Sequence, residues 1–374
     1  MKKHKVCLAT WHTSLNYGTC IQAYALAEYL RNNGFDVYIP DSFRYYYGLK
    51  HPFETLSNVM MKLRRKRNDN IVSTELKDRY DARYRKNEEF AREMSGVISF
   101  SSRQEYHSII SNTDIFVSGS DQIWNPGYVT PPMLLSIADN SRQKIAYGSS
   151  IGVSEIPDNK LRIYRKYLPR FEYIGVREEI AKIVLSKIIE ESKIQVVLDP
   201  SSLLTKDEWE QTAQKPDGVE ENKSFVFCYF IGNSDRWVND VDRYSKRYPC
   251  EVVCMPSEAM IIPSQFNCII DAGVKEFIWC LLHAKLVVTD SFHATALSIN
   301  FHTNFITYKR FEDSDKQSQN SRIINILNTF DLQNRLHNNG EPIEDIEQYF
   351  EHSQLILDSL RKESSDFLRK GVML

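Results

Sequence analysis

Residues 287–295 of this 374-residue chain read Val-Val-Thr-Asp-Ser-Phe-His-Ala-Thr, and they decide its fold. An apolar, β-type run ends there in a polar turn, and residues 294–299 follow with a helical pattern. Strand, polar turn and helix in this order place reactive groups at the carboxyl ends of the strands in an open α/β sheet. Residues 115–126, Ile-Phe-Val-Ser-Gly-Ser-Asp-Gln-Ile-Trp-Asn-Pro, repeat the arrangement in the other half of the chain. Two such strand ends in two halves of one chain predict a cleft between two sheets.

Alternating strand and helix patterns organise the rest of the chain. Residues 5–10, 21–31 and 35–39 predict a strand, a helix and a strand, with Gly34 as the stop of the helix. The apolar runs are typical of a parallel sheet that is buried on both faces. Further strands are predicted at residues 115–117, 144–147, 173–176, 195–198, 224–231, 251–254, 286–289 and 304–307.

The polar segment 206–222, which contains Pro216 and Gly218, is the predicted domain boundary. Patterning alone therefore predicts an α/β protein with an N-terminal domain, residues 1–205, and a C-terminal domain, residues 206–341. Residues 342–374 contain apolar positions at helical spacing, and they are predicted to form a closing helix.

The composition is that of an ordinary globular protein, with 42% hydrophobic and 26% charged residues. A net charge of −2 gives no sign of nucleic-acid binding. No stretch approaches the roughly 18 apolar residues that a membrane span needs, and the apolar run after the basic N-terminus is too short for a signal peptide. The seven cysteines lack paired C-x-x-C spacing, and Cys250 and Cys254 have no further ligands nearby to complete a zinc site. We therefore expect a cytoplasmic protein with reduced thiols and no metal.

Residues 44–86 differ from the rest in charge. They contain twelve Lys or Arg and five Asp or Glu, including Arg-Arg-Lys-Arg at 64–67. One interpretation is a basic helical insertion whose charges are simply solvated. The other is a surface that meets anionic lipid or a lipid-diphosphate substrate, which would place the protein peripherally at the inner face of the membrane.

The two polar turns contain the residues most suited to chemistry. His293 is the side chain best able to give and take a proton near neutral pH; the alternative is a histidine satisfied by hydrogen bonds beneath the strand edge. Asp121 is a candidate general base or ligand for sugar hydroxyls, and Trp124 offers a flat face to a pyranose ring. Alternatively, Asp121 caps a turn and Trp124 lies in the core. Ser291 can cap the following helix, whose first turn contains Thr295 and whose free N–H groups suit an anion.

The chain resembles the polysaccharide pyruvyltransferases in six short motifs that occur in the order of that family. They are Asn16-Tyr17-Gly18, residues 119–126, Val176-Arg177-Glu178, Asp199-Pro200, residues 290–295 and Asn320-Ser321-Arg322. Each motif is modest alone, but together they are specific, and they span residues 16–322. The resemblance implies two doubly wound, Rossmann-like domains that face each other across a cleft, which is the glycosyltransferase-B type of architecture.

The resemblance also implies a reaction, the transfer of a pyruvyl group from phosphoenolpyruvate to a sugar of a cell-surface polysaccharide precursor, such as a capsule or exopolysaccharide unit. The product is a pyruvate ketal, no cofactor is required, and His293 corresponds to the family's proposed proton donor. Because the donor carries phosphate and carboxylate charges, fixed cations should line the site. The expected partners are phosphoenolpyruvate and a sugar or lipid-linked oligosaccharide acceptor, with no nucleic acid.

On the donor side the resemblance assigns Arg177, for which the alternative is an ordinary surface pair with Glu178. Some members of the family have an arginine where this chain has Ser291, so another cation has to hold the donor. Arg322 is the preferred candidate, and the others are Lys309 and Arg310.

On the acceptor side the two N-terminal motifs are expected to line the cleft. Gly119 and Ser120 allow close backbone approach. The helix N-terminus at Ser291 and Thr295 would complete the donor side with N–H groups for phosphate. The expected acceptor-side residues are Asn16, Tyr17, Gly119, Ser120, Gln122, Trp124 and Asn125.

Two other classes of function stay open. A nucleotide-sugar-dependent glycosyltransferase of the same architecture would need an acidic residue toward the ribose, which residues 271–276, Asp-Ala-Gly-Val-Lys-Glu, could supply. A non-catalytic glycan-binding subunit is favoured if Ser291 marks lost donor binding. Phosphate release from phosphoenolpyruvate that depends on a sugar acceptor separates both from pyruvyl transfer.

Overall fold

The computed structural model describes residues 3–47, 74–220, 222–232, 236–256, 263–311, 320–338, 340–343 and 350–372. Its first sheet is built from β1 (Lys5–Ala9), β2 (Asp36–Pro40), β3 (Val97–Ile98), β4 (Ile115–Ser118), β5 (Gln143–Ser149), β6 (Tyr173–Val176) and β7 (Ile194–Val196). All pairs are parallel, and the strand order is β3-β2-β1-β4-β5-β6-β7.

The second sheet is built from β8 (Phe225–Tyr229), β9 (Glu251–Cys254), β10 (Asn267–Cys268), β11 (Leu286–Thr289), β12 (Phe305–Tyr308) and β13 (Leu336–His337). It too is parallel throughout, in the order β10-β9-β8-β11-β12-β13. Both sheets therefore have the doubly wound order 3-2-1-4-5-6, which creates a crevice where the strand order reverses.

Each sheet is buried on both faces. In β1, Val6 and Leu8 pack into one apolar core, whereas Cys7 and Ala9 pack into another. In β8, Phe225, Phe227 and Tyr229 pack into one core, whereas Val226 and Cys228 pack into another. Such strands need continuous apolar sequence rather than alternation, which is the pattern that the sequence shows.

Twelve helices lie in the described parts of the chain. Asn16 caps the first by accepting a hydrogen bond from the Gly18 N–H, and Ser291 caps the tenth by accepting one from the Ala294 N–H. They are α1 (Tyr17–Asn32), α2 (Arg44–Tyr47), α3 (Thr74–Glu93), α4 (Arg103–Ser111), α5 (Asp158–Tyr167), α6 (Glu179–Ser186), α7 (Lys206–Glu210), α8 (Arg236–Arg247), α9 (Val274–His283), α10 (Phe292–Phe301), α11 (Asn320–Thr329) and α12 (Glu351–Val372).

An aromatic cluster joins the two domains between α1 and α9. Tyr17 is fully buried there, stacks on Phe277 at 4.4 Å between ring centroids, and donates a hydrogen bond to the Ala272 carbonyl. Tyr229 closes the cluster from β8. Burial of each such ring is worth about 1.5–3 kcal/mol, so the interface is a continuous core rather than a wet contact between domains.

Helix α3 packs at the same interface and contains residues 74–86 of the basic segment, whereas residues 44–47 form α2. Arg83 is fully buried, lies over the Tyr17 ring, and donates hydrogen bonds to the Pro256 and Ile269 carbonyls of the second domain. Arg79 and Lys86 pair with acidic residues of that domain. These three cations are thus engaged with the second domain rather than merely solvated. The run 64–67 lies outside the described residues.

Helix α12 connects the domains a second time. Its first half packs on the second domain through Leu357, and Arg361, near its middle, donates to Asn300 Oδ1. Its end lies in a core of the first domain, where Phe367 and Leu368 pack and Ser364 Oγ accepts from the Leu198 N–H. The first sheet ends at Val196 and the second begins at Phe225, on either side of the linker predicted at 206–222.

The expected fold class is confirmed, since two doubly wound α/β domains of glycosyltransferase-B type face each other across a cleft. Most predicted strands agree with the observed ones to within a residue or two at each end. Three edge strands of two residues each, β3, β10 and β13, were not predicted. No helix within the described ranges is both long enough and apolar enough to span a bilayer.

Candidate active site

The carboxyl edges of the two sheets meet at the site. Asp121 follows β4, Arg177 and Glu178 follow β6, and Asp199 follows β7 in the first domain, while His293 follows β11 in the second. This is where parallel α/β sheets place ligand-binding residues. The site is therefore assembled from both domains.

His293 lies where the N-termini of two helices meet. It is the second residue of α10, is 5% exposed, and packs against Gly18, the second residue of α1. A Cβ on Gly18 would fall 2.1 Å from His293 Nδ1, so only a glycine admits the ring in this position. The contact ties the imidazole of the second domain to the first.

Asp199 faces the other nitrogen of the ring. Its Oδ2 lies 3.5 Å from His293 Nε2 and accepts a 2.7 Å hydrogen bond from Arg177 Nη1. Its Oδ1 accepts hydrogen bonds from the backbone and hydroxyl of Ser201. Burial raises the pKa of the Asp199 carboxyl, but His293, Arg177 and Ser201 lower it more, so it lies well below its ordinary value. Asp199 is thus an ionised group that can orient His293.

Arg177 is surrounded by carboxylates and is only 1% exposed at its side chain. Besides Asp199, Glu178 lies 3.6 Å from its Nε and Asp121 3.8 Å from its Nη2. Burial lowers the pKa of Arg177, but these three carboxylates raise it more. The Nε and Nη2 atoms are buried without a hydrogen-bond partner. Neither a surface pair with Glu178 nor an exposed donor clamp describes this arginine.

Asp121 has a strained backbone. Its φ of 71° and ψ of −177° lie in a region that is essentially restricted to glycine. Its carboxylate accepts hydrogen bonds from the Gln122 N–H and from Thr19 Oγ1. Burial raises its pKa, but Arg177, His293 and Arg322 lower it more. The predicted turn cap is present, and the strain is of a kind found at functional sites.

Arg322 has the least compensated charge in the cluster. Its Nε lies 3.7 Å from Glu178 Oε1 but is buried without a hydrogen bond. Burial, followed by the charge of Arg177, lowers the pKa of Arg322 to about 10. Arg322 and Arg177 both lie on the Phe292 ring, at 4.9 and 5.1 Å. A largely buried guanidinium whose ion pair at 3.7 Å includes no hydrogen bond is suited to an anionic ligand.

Two cavities approach this cluster. The front cavity, about 320 Å³, is polar. One side of it is lined by the loop that follows β1, with Trp11, Thr13, Ser14 and Asn16. The other side is lined by Asp121, Gln122, Arg310 and Arg322. The rear cavity, about 270 Å³, has apolar walls, including Leu198, Phe330 and Leu360, and ends at Arg177, Phe292 and Arg322. Arg322 thus lines both cavities, whereas Arg177 lines the rear one.

The formal charges of the cluster do not favour an anion by themselves. Arg177 and Arg322 contribute two positive charges, and Asp121, Glu178 and Asp199 contribute three negative ones. The sum is −1 with His293 neutral and 0 with His293 protonated. Arg310, which also lines the front cavity, is paired with the Asp290 carboxylate and carbonyl.

The structure brings together one part of the predicted site. His293, Asp121, Arg177 and Arg322 form one cluster, and Asn16 and Gln122 line the front cavity beside it. Ser291 is fully buried and caps α10, as expected. Of the other candidate cations, Arg310 lines the front cavity and Lys309 is exposed.

Several other predicted site residues lie outside the two cavities in this conformation. Trp124 is fully buried and donates a hydrogen bond to Ser118 Oγ, so its face is not open to a sugar. Tyr17 is part of the interdomain core. The Thr295 hydroxyl donates to the Ser291 carbonyl within α10. The three remaining residues do not line either cavity: Gly119, Ser120 and Asn125.

Sequence reasoning missed three residues of the site. Asp199 comes directly after a predicted strand, so the strand-end rule that identified Asp121 applies to it equally. Glu178 was considered only as a surface partner of Arg177. Gly18 carried no chemical signal, because its importance is the space that it leaves for His293.

Within the described ranges, no three His, Cys, Asp or Glu side chains are grouped so as to hold a metal ion. All seven cysteines are free, and burial raises the pKa of the Cys7 and Cys20 thiols to about 12.

Comparison with known proteins places the chain in a family. A family model described as polysaccharide pyruvyl transferase matches residues 16–310. No curated protein matches the chain. The chain belongs to the polysaccharide pyruvyl transferase family, a family of transferases.

Solved structures of other enzymes are similar in fold. The UDP-GlcNAc 2-epimerase from Methanocaldococcus jannaschii is 12% identical, with 96% of this chain and 100% of that chain covered and a TM-score of 0.44. The wall teichoic acid polymerase TagF is 13% identical, with 99% and 83% covered and a TM-score of 0.44. A putative UDP-N-acetylglucosamine 2-epimerase from Listeria monocytogenes is 12% identical, with 97% of each chain covered and a TM-score of 0.45. The fold assignment itself rests on the strand orders.

Proposed function

We propose that this protein transfers a pyruvyl group from phosphoenolpyruvate to a sugar of a cell-surface polysaccharide precursor, with His293 as the general acid. The observation that carries the proposal is the buried cluster at the domain interface. It combines a histidine near Asp199, a strained Asp121, and guanidinium nitrogens of Arg177 and Arg322 that have no hydrogen-bond partner. Acid, base and anion-binding groups are thus within one cluster.

The reaction needs one proton donor and two proton acceptors. His293 gives its proton to the methylene carbon of phosphoenolpyruvate, which leaves an oxocarbenium-like centre. A sugar hydroxyl attacks this centre, and Asp121 takes its proton. Asp121 passes this proton to the departing phosphate, and a second hydroxyl then closes the ketal. The proton of the second hydroxyl regenerates His293. A positioned acid of this kind contributes typically 10²–10⁴-fold to the rate.

Donor binding is coupled to the charge of the cluster. With His293 neutral, the cluster has one more carboxylate than guanidinium groups, which opposes a donor that carries phosphate and carboxylate. Protonation of His293 removes the excess and supplies the catalytic proton in the same step. Arg322 then provides the donor contact, since it lines both cavities and lacks a hydrogen-bond partner at Nε.

The test is phosphate release from phosphoenolpyruvate with and without a sugar acceptor, with His293→Gln as the decisive variant. Wild type should release phosphate only with acceptor, and His293→Gln should lose at least about 10²-fold in kcat while remaining folded. His107→Gln, the same substitution on an exposed helical surface, should behave as wild type. Near-normal turnover by His293→Gln at its pH optimum would refute the assignment.

The alternative of a nucleotide-sugar-dependent glycosyltransferase gains no support from residues 271–276. Glu276 caps α9 by accepting from the Gly273 N–H and pairs with Lys86, and Asp271 pairs with Arg79. Both acids therefore have structural roles. If a chelator abolished activity and one divalent ion restored it, this alternative would be favoured. Binding of glycan without any turnover would indicate a non-catalytic subunit.

The acceptor and location follow from the same proposal. We place the reaction in the cytoplasm, on a sugar or a lipid-linked oligosaccharide, with phosphoenolpyruvate as the donor and no cofactor. The basic segment 44–86 is proposed to contact the anionic inner face of the membrane. Its run 64–67 lies outside the described residues, and Arg79, Arg83 and Lys86 are engaged with the second domain.

A further inference from the structure

Trp11 and Tyr128 form an aromatic surface at the mouth of the front cavity. Trp11 lines the cavity, and its ring centroid lies 5.9 Å from that of Tyr128, with 59° between the ring planes. Tyr128 is 56% exposed, more than any other aromatic side chain that the structure describes as exposed. Apolar ring faces in contact with water are unfavourable, and a ligand that covers them is stabilised accordingly.

The loop that carries Trp11 is fixed from beneath by two fully buried amides. Gln22 Nε2 donates a 2.6 Å hydrogen bond to the Trp11 carbonyl, and Asn87 Nδ2 donates a 2.8 Å hydrogen bond to the Ser14 carbonyl. Because the loop is already held in place, a ligand does not have to order it on binding. The aromatic surface is therefore built in advance rather than being a chance exposure.

The groups beside Trp11 are polar but mostly uncharged. Thr13, Ser14 and Asn16 line the cavity with Trp11, and Asp121, Arg310 and Arg322 line it as well. A pyranose ring has the matching chemistry, since one face of it presents C–H groups and its edge presents hydroxyls. Sites for small polar ligands combine an apolar or aromatic surface with a few placed polar groups in this way.

We propose that Trp11 stacks on the acceptor pyranose that receives the pyruvyl group, and that Tyr128 stacks on the next ring of the same glycan. Trp11 lines the same cavity as Asp121, the proposed base, so a sugar stacked on Trp11 lies in the cavity that contains this base. Tyr128 extends the aromatic surface toward solvent. The inference rests on the proposed function and adds to it the class of acceptor, a glycan of at least two pyranose units. Trp11 thereby takes the role expected of Trp124.

The experiment measures sugar binding by saturation-transfer NMR, without phosphoenolpyruvate. The ligands are the methyl pyranosides of glucose, galactose and mannose, and disaccharides that contain them. Wild type should bind at least one disaccharide more tightly than its monosaccharide. Tyr128→Ala should abolish that advantage, a loss of roughly two- to tenfold, and Trp11→Ala should weaken both ligands by a similar factor. Trp11→Phe, which keeps an aromatic face, should retain most of the affinity.

The matched control is Tyr84→Ala, which removes another exposed tyrosine that lines neither cavity. It should bind every sugar as wild type does. Unchanged binding in both Trp11→Ala and Tyr128→Ala would overturn the inference, and so would the absence of binding of every sugar to wild type. Sugar binding that depends on these rings, without pyruvyl transfer, would support the sugar-binding surface but refute the proposed function and, with it, the role of the bound sugar as acceptor.

Discussion

Gly18→Ala tests whether the contact between the two helix N-termini holds the catalytic histidine. The new Cβ would lie 2.1 Å from His293 Nδ1 and 2.6 Å from Cγ, whereas ordinary contact begins at about 3.4 Å. The nitrogen contact is thus too short by 1.3 Å (3.4 minus 2.1), and the clash involves the body of the ring rather than the tip of a flexible chain. Either the imidazole turns away or the domains separate.

Both responses displace His293 from Asp199 and Asp121. A misplacement of about 1 Å costs on the order of 10²-fold in rate, so we expect kcat to fall by about that factor. Stability should change much less, because alanine is favoured over glycine in a helix by up to about 1 kcal/mol, and overpacking costs about 1–3 kcal/mol. The expected net loss is about 0–2 kcal/mol.

The assay is steady-state phosphate release combined with urea unfolding. Gly371→Ala is the control, since Gly371 is also helical and its Cβ would meet Ile145 at 3.3 Å, far from any ionisable group of the cluster. In the double variant of Gly18→Ala with His293→Ala, the second substitution should add little, because both act through the same ring. A Gly18→Ala enzyme that keeps half or more of the wild-type kcat would refute the reasoning.

Four further results are expected. Asp199→Asn should lower the free energy of unfolding by about 3–5 kcal/mol at pH 7, because Arg177 loses its closest buried partner. The folded pKa of this carboxyl is lowered. The difference in free energy of unfolding between wild type and variant should therefore be largest above the ordinary pKa of about 3.8 and decrease as the pH falls below it. An equal difference in urea titrations at pH 7 and pH 3 would contradict this linkage. Asp121→Gly and Asp121→Ala should both be inactive, but the glycine variant should be more stable by about 1–3 kcal/mol, because only it tolerates the φ of 71°; equal melting curves would argue against strain. Arg322→Ala should raise the KM for phosphoenolpyruvate by at least about tenfold, as loss of a charge-assisted contact of roughly 1.5–3 kcal/mol implies, whereas Arg177→Ala should mainly reduce stability and kcat; the reverse pattern in the kinetic constants would exchange their roles. Replacing Arg64, Arg65, Lys66 and Arg67 by Gln should weaken binding to anionic vesicles, because each cation contributes on the order of 1 kcal/mol near such a surface. The reaction with a lipid-linked acceptor should slow, whereas the reaction with a soluble sugar should not. Unaltered vesicle binding would show that the run is only solvated.

The sheets were predictable because each strand is an apolar run that ends in a polar turn. That rule located β4 and β11 and, with them, Asp121 and His293. The edge strands β3, β10 and β13 have two residues each, and two residues carry no periodicity. Their pairing depends on the neighbouring strand rather than on their own sequence.

The direction of side chains in the turns was less predictable. A tryptophan in a loop has the same sequence signal whether it points into the core or toward solvent. Trp124 points inward because Ser118 Oγ and the Met133 carbonyl accept its N–H, and both partners come from tertiary packing. For the same reason, the sequence does not show that Trp11 lines a cavity, and it predicts a cleft position for Tyr17, which lies in the core.

Charge counts were the least informative part of the sequence. The surplus of cations in residues 44–86 gives no indication that Arg83 is fully buried between two domains. Likewise, the run Val176-Arg177-Glu178 gives no indication that Arg177 pairs most closely with Asp199, 22 residues away. Partners of buried charges are chosen by the folded chain, because desolvation makes each one depend on all its neighbours.

Helix α12 makes the second domain an insertion that is tethered at both ends. The chain leaves the first domain through α7 and returns to it along α12, whose Gly371 carbonyl accepts a hydrogen bond from Gln143, the first residue of β5. One cut in the linker, for example at the exposed Gly218, would leave both halves joined through this helix. His293 would still meet Gly18 within one non-covalent complex, at a high effective concentration. Assembly of the site therefore tolerates a nick in the linker, but it should not tolerate removal of α12.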